Sequence, residues 1–298
     1  MAEQTPANSS YRKVLVTGAN GQLGSRLTEL GQKPGLHWVG YGRPELDITD
    51  EERVGKVLDR ERPDVLVNAA AYTAVDRAEE EPKLAHQINA IGPAVLAKAC
   101  AERGIPFIHI STDYVFDGAQ HRAYLVADEP NPQGVYARSK RAGELNVEKA
   151  FERCREASWW IIRVAWLYDV RGKNFFRTMV QLGESGKSLR VVDDQFGAPN
   201  AARPFASTIE RLIQNLETVP SGYWHYSTEG PTSWFEFAKA IFALKGLEVD
   251  LRPCTSADYP TAAPRPKFSY LDGQYFAEVL RVERVHWEQE LEQELKEN

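Results

Sequence analysis

The stretch KVLVTGANGQLG (residues 13–24) decides the fold of this 298-residue chain. Its first five residues predict a β-strand, which runs into a turn with glycines at positions 18, 21 and 24 and then into a helix. At this G-x-x-G-x-x-G spacing, glycines allow a sharp turn, the close approach of a pyrophosphate and tight packing of helix on strand. The positive N-terminus of the helix suits the same anion. The stretch therefore predicts a dinucleotide-binding turn.

Strands and helices alternate beyond this turn. Continuous apolar runs predict further strands at residues 36–41, 64–68, 106–110 and 159–164, with helices between them. Continuous runs are typical of strands that are covered on both faces. Together with the glycine turn, this alternation predicts an α/β fold with a doubly wound parallel sheet of the Rossmann type.

The pattern loosens past residue 170, where shorter elements and a cluster of prolines follow. We expect residues 12–170 to form a dinucleotide-binding domain and residues 171–298 to form mainly a smaller, mixed α/β substrate lobe. Part of residues 190–225 is expected to pack back on the first sheet. Residues 1–11 are expected to be a disordered tail.

The composition is that of an ordinary globular protein, with 43% hydrophobic and 26% charged residues. A net charge of −6 argues against nucleic acid or an anionic membrane as the main partner. The cysteines and histidines show no metal-ligand spacing, so we expect neither a metal site nor a disulfide framework. No apolar run approaches the length that spans a bilayer, and residues 1–10 lack the apolar segment of a secretion signal. A reducing, cytoplasmic compartment is the simplest interpretation.

The candidate chemistry lies in VYARSK (residues 135–140), at the start of a predicted helix. Tyr136 and Lys140 are four residues apart, which places both side chains on one helix face. An ammonium beside a phenol favours the phenolate and lowers its pKa, so the pair is a candidate acid–base group. Y-x-x-x-K alone also describes an ordinary exposed helix pair. Its position downstream of a dinucleotide turn favours catalysis.

A second candidate lies where the fourth predicted strand ends, at Ser111 and Thr112. Open α/β sheets bind ligands at the carboxyl ends of their strands. A hydroxyl here would hydrogen-bond the substrate oxygen that Tyr136 protonates. An ST-turn or a helix cap is the alternative interpretation.

The end of the second strand bears on cofactor choice. Enzymes that use NAD usually place an acid there for the ribose 2′-hydroxyl. This chain has Arg43 in the stretch YGRP (residues 41–44), and an arginine suits a 2′-phosphate through charge-assisted contacts. We therefore expect NADPH to be preferred, with NADH as the alternative cofactor.

Four motifs are the basis of a family resemblance: T-G-x-x-G-x-x-G from Thr17, NAAAYT (residues 68–73), STDYVFDG (residues 111–118) and Y-x-x-S-K from Tyr136. Together they resemble the extended short-chain dehydrogenase/reductases. Four further stretches narrow the resemblance to members that reduce nucleotide-linked 4-ketosugars. These are AVDRAE (residues 74–79), RVAWLY (163–168), DQFGAP (194–199) and YPTA (259–262) with Arg265 following. The resemblance covers about residues 12–290.

The resemblance implies that NADPH or NADH delivers a hydride to the C4 ketone of dTDP-4-dehydro-6-deoxy-L-mannose. Tyr136 would protonate the developing alkoxide, and Lys140 would lower the tyrosine pKa and hold the nicotinamide ribose. Thr112 would hydrogen-bond the reacting oxygen. Further cofactor contacts are implied for Gly18, Asn20, Gly21, Gln22, Leu23, Asp47, Ile48, Ala70, Ala71, Tyr72 and Thr73. Substrate contacts are implied for Thr112, Asp113, Trp166 and Arg265.

The chain departs from the family pattern at three positions. Asn200 replaces a usual threonine, and Ala165 replaces a common serine or threonine. Some members hold magnesium at a dimer contact through a glutamate, where this chain has Arg26. An arginine repels a cation, so we expect no magnesium-bridged dimer, while a homodimer of another kind stays open.

Three other functions remain open at this stage. The first is a reductase of another nucleotide 4-ketosugar. The second is a dehydratase or epimerase, although Tyr114 stands where dehydratases carry a second acid. The third is a non-catalytic partner like the regulatory subunit of methionine adenosyltransferase, which shares this sequence pattern.

Overall fold

The computed structural model describes residues 12–30, 35–152, 154 and 157–296. The predicted tail at residues 1–11 lies outside the described residues. The strands are β1 (Arg12–Thr17), β2 (Leu36–Tyr41), β3 (Val65–Asn68), β4 (Phe107–Thr112), β5 (Trp159–Val164), β6 (Leu167–Tyr168), β7 (Leu189–Val192), β8 (Phe196–Gly197), β9 (Asn200–Ala201), β10 (Gly222–Tyr226), β11 (Thr232–Ser233) and β12 (Leu251–Cys254). The helices are α1 (Gln22–Glu29), α2 (Glu51–Glu61), α3 (Val75–Glu80), α4 (Pro82–His86), α5 (Gly92–Ala101), α6 (Gly134–Glu152), α7 (Phe175–Glu184), α8 (Ala202–Gln214), α9 (Trp234–Lys245), α10 (Gln274–Leu280) and α11 (Trp287–Lys296).

A six-stranded sheet in the order β10-β5-β4-β3-β1-β2 organises the fold. Every neighbouring pair in it is parallel, as the continuous apolar runs predict. The strand order reverses between β1 and β3, with β2 on one side of this pair and β4, β5 and β10 on the other, which is the doubly wound arrangement. The predicted α/β fold class is confirmed. The sixth strand, β10, is an element that the sequence pattern did not predict.

Both faces of this sheet are covered, which explains the apolar runs. In β1, Val14 and Val16 point to a core that includes Phe205 and Ile209 of α8. Leu15 between them points to the opposite core, formed with α2, α5 and α6. Alternate residues of β1 thus pack into two different cores. Helix α8 lies against one face of the sheet.

The sequence between the third and fourth predicted strands favours one helix over about residues 82–104, but in the structure this helix is interrupted. The chain forms α4, then a π-helical turn at Gln87–Ile91, then α5. Within the π turn, Asn89 is fully buried and its side chain bonds both the N–H (2.8 Å) and the C=O (3.0 Å) of Tyr72. The widened turn therefore fixes the segment that follows β3.

Two other helices begin directly after a residue whose side chain caps them. The Asp50 carboxylate accepts a hydrogen bond from the Arg53 N–H at 2.9 Å, and α2 follows. The Ser233 hydroxyl caps α9 in the same way, at 3.1 Å from the Glu236 N–H. These two side chains therefore define the first turns of α2 and α9.

A third core lies in the second half of the chain, where α7, α9 and α11 pack around Phe176, Phe237 and Trp287. It lies apart from the two cores of the large sheet. This arrangement is compatible with a separate substrate lobe, although the exact domain boundaries stay an interpretation. Among the described residues, no helix combines the length and apolarity that crossing a membrane requires.

Candidate active site

The glycine turn after β1 builds an open backbone cradle. Gly18 has a φ of +71°, and a Cβ added there would lie 2.6 Å from the Ala70 nitrogen. A Cβ on Gly24 would lie 2.1 Å from the Gly18 carbonyl oxygen. Gly21 caps α1 without a side-chain hydrogen bond, so the first amides of that helix keep their capacity to bind an anion. The turn therefore fits a pyrophosphate.

A cleft of about 380 Å³, here called the first cleft, opens from this turn across the ends of β1, β2 and β3. The predicted cofactor residues that line it are Gly18, Asn20, Gly21, Arg43, Asp47, Ile48, Ala70, Ala71, Tyr72 and Thr73. The side chain of Leu23 is instead packed in the core. Gln22 has a buried Oε1 without a hydrogen-bond partner among the described residues. Arg43 is exposed at the rim.

The Tyr136 ring packs behind the first cleft. It is 8% exposed, and its neighbours include Tyr72, which lines that cleft, and Tyr114, whose ring meets it edge-on at 5.5 Å between centroids. Burial raises the pKa of Tyr136 to about 12, although the Thr112 hydroxyl opposes this increase. The expectation that a neighbouring ammonium makes this phenol acidic is wrong for this structure, because burial dominates. Tyr136 therefore carries its proton at neutral pH.

Lys140 lies one helical turn further along α6 and is 2% exposed. Its Nζ donates a hydrogen bond of 2.7 Å to the carbonyl oxygen of Ile110 in β4. Burial lowers the pKa of Lys140 to about 8, and the charge of Glu144 partly opposes this decrease. The ammonium thus lies under the sheet end with a pKa close to neutrality.

Thr112 and Asp113 lie at the carboxyl end of β4, where the prediction placed them. The Thr112 hydroxyl donates to Asp113 Oδ1 at 3.0 Å and accepts from the Tyr114 N–H at 3.3 Å. Asp113 is 2% exposed, and burial raises its pKa to about 6. The ST-type turn considered as an alternative is therefore also present, and it orients the same hydroxyl.

Asn89 and Ser139 connect Tyr72 to Tyr136, and neither residue was predicted from the sequence. Asn89 Nδ2 donates to Ser139 Oγ at 3.0 Å, and Ser139 Oγ donates to the Tyr136 carbonyl oxygen at 2.7 Å. With its bonds to Tyr72, Asn89 links the wall of the first cleft to the start of α6. Ser139 stands within Y-x-x-S-K, but Asn89 carries no local signal, because its partners are distant in sequence.

A second cleft of about 370 Å³ lies between α3 on one side and α7, β7 and the start of α9 on the other. Its lining residues include Asp76, Phe175, Met179, Arg190, Trp234 and Arg265. Arg265 donates a 2.7 Å bond from Nη2 to Asp76 Oδ2, so the expected substrate arginine already has a carboxylate partner. Neither Asp76 nor Trp234 was expected from the sequence to have a role in the site.

Trp166 has a φ of +44°, which is uncommon for a large side chain, and its indole stacks on Trp234 at 3.5 Å between centroids. A Cβ on Gly197 would lie 2.7 Å from the Trp166 ring, so the glycine of DQFGAP gives the indole its space. Asn200 donates to the Ala165 carbonyl oxygen at 2.8 Å. The two departures at positions 165 and 200 are therefore in direct contact.

Arg26 is buried in an ion pair rather than presented to solvent. Its Nε and Nη2 lie 2.5 and 2.8 Å from the Asp169 carboxylate. Over the described ranges, no three histidine, cysteine, aspartate or glutamate side chains form a group that would hold a metal ion. The expectation about a magnesium-bridged dimer stays a prediction.

The glycine cradle, the parallel sheet and the Tyr–Lys pair beside a strand-end threonine are the features of the short-chain dehydrogenase/reductase class. The RmlD substrate binding domain family matches residues 12–298 of the chain. The spore coat polysaccharide biosynthesis protein SpsK of Bacillus subtilis is 36% identical, over 96% of this chain and 97% of its own. The dTDP-4-dehydrorhamnose reductase of Sinorhizobium fredii is 35% identical, over 93% and 94%.

A solved structure agrees with these sequence relatives. The dTDP-4-dehydrorhamnose reductase of Bacillus anthracis, determined in complex with NADP, is 36% identical and superposes with a TM-score of 0.90 over 97% of this chain and all of that one. The chain therefore belongs to the dTDP-4-dehydrorhamnose reductase family, whose members carry the RmlD substrate binding domain.

Proposed function

We propose that the protein uses NADPH to reduce the C4 ketone of dTDP-4-dehydro-6-deoxy-L-mannose (dTDP-4-dehydro-β-L-rhamnose), with Tyr136 as the proton donor. The observation that carries the proposal is the convergence of Thr112, Tyr136 and Lys140 at the end of β4, beside the first cleft. The first cleft would hold the dinucleotide. A bound nicotinamide would supply the hydride.

The proton inventory supports this assignment of roles. Reduction of a ketone creates an alkoxide that needs a proton, and a phenol with a pKa of about 12 holds its proton until such a base appears. Lys140, still largely protonated at neutral pH, would stabilise the phenolate that remains. Thr112 would turn its hydroxyl from Asp113 to the substrate oxygen.

The second cleft has the composition that a nucleoside diphosphate requires. Aromatic and apolar side chains line one part, and Arg190 and Arg265 supply positive charge for phosphates. Arg265 would exchange Asp76 for a phosphate oxygen. Arg43, exposed at the rim of the first cleft, supports NADPH over NADH because it is free to meet a 2′-phosphate.

The test is a spectrophotometric assay of NADPH oxidation with a panel of nucleotide 4-ketosugars, run in parallel with NADH. We expect turnover of the dTDP-linked L-sugar and a decrease of roughly 10²- to 10⁴-fold in kcat for Tyr136→Phe. Tyr124→Phe is the matched control, since this fully buried tyrosine donates its hydroxyl to Asp117, outside the site. If the wild-type protein binds NADPH but none of the ketosugars leads to its oxidation, the proposal is refuted and a regulatory role is favoured.

A further inference from the structure

Tyr136, Lys140 and Glu144 succeed one another at intervals of four residues along α6, so they share the helix face that meets the sheet. Glu144 is 0% exposed. A carboxylate buried to this extent is costly unless hydrogen bonds and opposite charges compensate it. The reaction assigned to the site uses the first two residues and leaves the third without a role.

Four hydrogen bonds converge on the two oxygens of Glu144. Its Oε1 accepts from Ser111 Oγ at 2.6 Å and from Arg163 Nε at 2.9 Å. Its Oε2 accepts from Arg163 Nη2 at 2.9 Å and from Arg141 Nη1 at 2.8 Å. Burial raises the pKa of Glu144, but the charge of Arg163 and the hydrogen bonds from Arg163, Ser111 and Arg141 together outweigh burial, so the pKa lies below its ordinary value. Glu144 is therefore ionised.

These bonds fix the place of the Lys140 ammonium. Ser111 and Arg163 are register partners on β4 and β5, so Glu144 ties α6 to two adjacent strands at one level. Ile110, whose carbonyl oxygen accepts from Lys140 Nζ, is the residue next to Ser111. The acceptor of the ammonium and the helix that bears it are thus held together by the same carboxylate.

Glu144 also affects the protonation of Lys140, because it is a charged group near the ammonium. The other titratable or charged groups come from α6 and from the elements around it. They are Tyr136 and Arg141 of α6, Glu79 of α3, Cys100 of α5, His109 of β4, Asp113 at the end of β4, Arg163 of β5, and Tyr223 and His225 of β10. Lys83 and His86 of α4 are exposed to solvent. Burial lowers the pKa of both His109 and His225, and it raises that of Cys100 and Tyr223, so these four are neutral near pH 7. Glu144 is the charged neighbour that raises the pKa of Lys140.

We propose that Glu144 is the positioning residue of this active site, which sets both the place and the protonation of Lys140 through its hydrogen bonds to Ser111 and Arg163. The inference rests on the proposed function, in which a protonated Lys140 supports proton transfer from Tyr136. Without the carboxylate charge, no charged neighbour would offset the burial of the Lys140 ammonium. Lys140 would then lose its proton at a lower pH.

The test compares Glu144→Gln with wild type. The variant keeps an oxygen acceptor of the same size and removes the charge. We expect the pH above which kcat/KM falls to move down by about one unit, with activity largely restored at lower pH. A general loss of activity without a shift of the profile would mean a merely structural role and would overturn the inference.

A second readout does not depend on turnover. The ¹³Cε resonance of Lys140, assigned with Lys140→Arg, reports the midpoint of its titration directly, and this midpoint should fall in Glu144→Gln. Arg141→Gln is the matched variant of opposite sign: its side chain is 22% exposed, it removes a positive charge from the same carboxylate, and it should raise the midpoint. If Glu144→Gln does not fold, the titration midpoint of Lys140 in Arg141→Gln alone tests the proposal. Midpoints equal to that of the wild type would refute the positioning role, whereas a silent wild-type enzyme with shifted midpoints would refute only the proposed function.

Discussion

At the scale of single residues, the candidate active site holds ionisable groups whose pKa values burial shifts away from their values in water. Asp113 shows this most clearly, because its carboxyl is 2% exposed and burial raises its pKa to about 6. A raised pKa in the folded state means that the folded protein binds more protons than the unfolded chain between about pH 4 and pH 6. Stability should therefore fall as the pH rises through that window. Asp113 thus costs stability at neutral pH.

Asp113→Asn removes this titration and keeps the size of the side chain. We expect the difference in unfolding free energy, variant minus wild type, to increase by about 3 kcal/mol between pH 4 and pH 7, since a shift of about two units corresponds to that energy. Urea unfolding at several pH values measures it. Asp117→Asn is the control: hydrogen bonds from the Ala119 N–H, Asn131 and Tyr124 lower the pKa of Asp117, so its pH dependence should have the opposite sign. A pH-independent difference for Asp113→Asn would contradict the burial argument.

At the scale of elements, short strands and loops hold the second half of the site, and Asn200 of β9 joins three of them. Its Nδ2 donates to the carbonyl oxygens of Ala165 and Ala198 at 2.8 Å each, and its Oδ1 accepts from the Thr228 N–H at 2.8 Å. Asn200→Ala leaves three backbone groups unpaired and should cost about 3 kcal/mol of unfolding free energy.

Asn200→Thr, which restores the residue usual in the family, should cost less, because its hydroxyl replaces one donor and one acceptor. Denaturant unfolding of both variants measures the two costs. Thr178→Ala serves as a control, since its hydroxyl bonds one carbonyl of the exposed surface of α7. Equal stability of Asn200→Ala and wild type would show that the loops do not depend on this side chain.

The elements also show what the sequence could predict. Strands β1 to β5 and the glycine turn were predictable, because apolar runs and glycines act locally. The strand GYWHY of β10 was not, since it lacks the aliphatic run and is specified by its pairing with β5. The π turn around Asn89 and the stack of Trp166 on Trp234 depend on partners far along the chain. For the same reason the pKa of Tyr136 was predicted in the wrong direction: burial is a property of the fold, not of the motif.

At the scale of the whole molecule, the Arg26–Asp169 pair links α1 of the dinucleotide turn to the segment that leads into α7. Arg26 is 7% and Asp169 2% exposed, and the Asp169 carbonyl oxygen accepts from Asn174, the cap of α7. A second pair, Arg171–Glu29, runs parallel to it between the same two segments, but both its side chains are 48% exposed. The molecule thus contains a buried and an exposed version of one connection.

These two pairs should differ sharply in their contribution to stability. Arg26→Met leaves the Asp169 carboxylate buried without its bidentate partner and should cost about 3 kcal/mol, whereas Arg171→Met should cost less than about 1 kcal/mol because solvent screens the exposed pair. Asp169→Asn in the Arg26→Met background should recover part of the loss, since it removes the uncompensated charge. Urea unfolding of the three variants measures these energies, and NADPH titration shows whether the cradle at the start of α1 shifts with them. Equal costs for Arg26→Met and Arg171→Met would mean that burial does not distinguish the two pairs, and the link between the cradle and the segment that leads into α7 would then lie elsewhere.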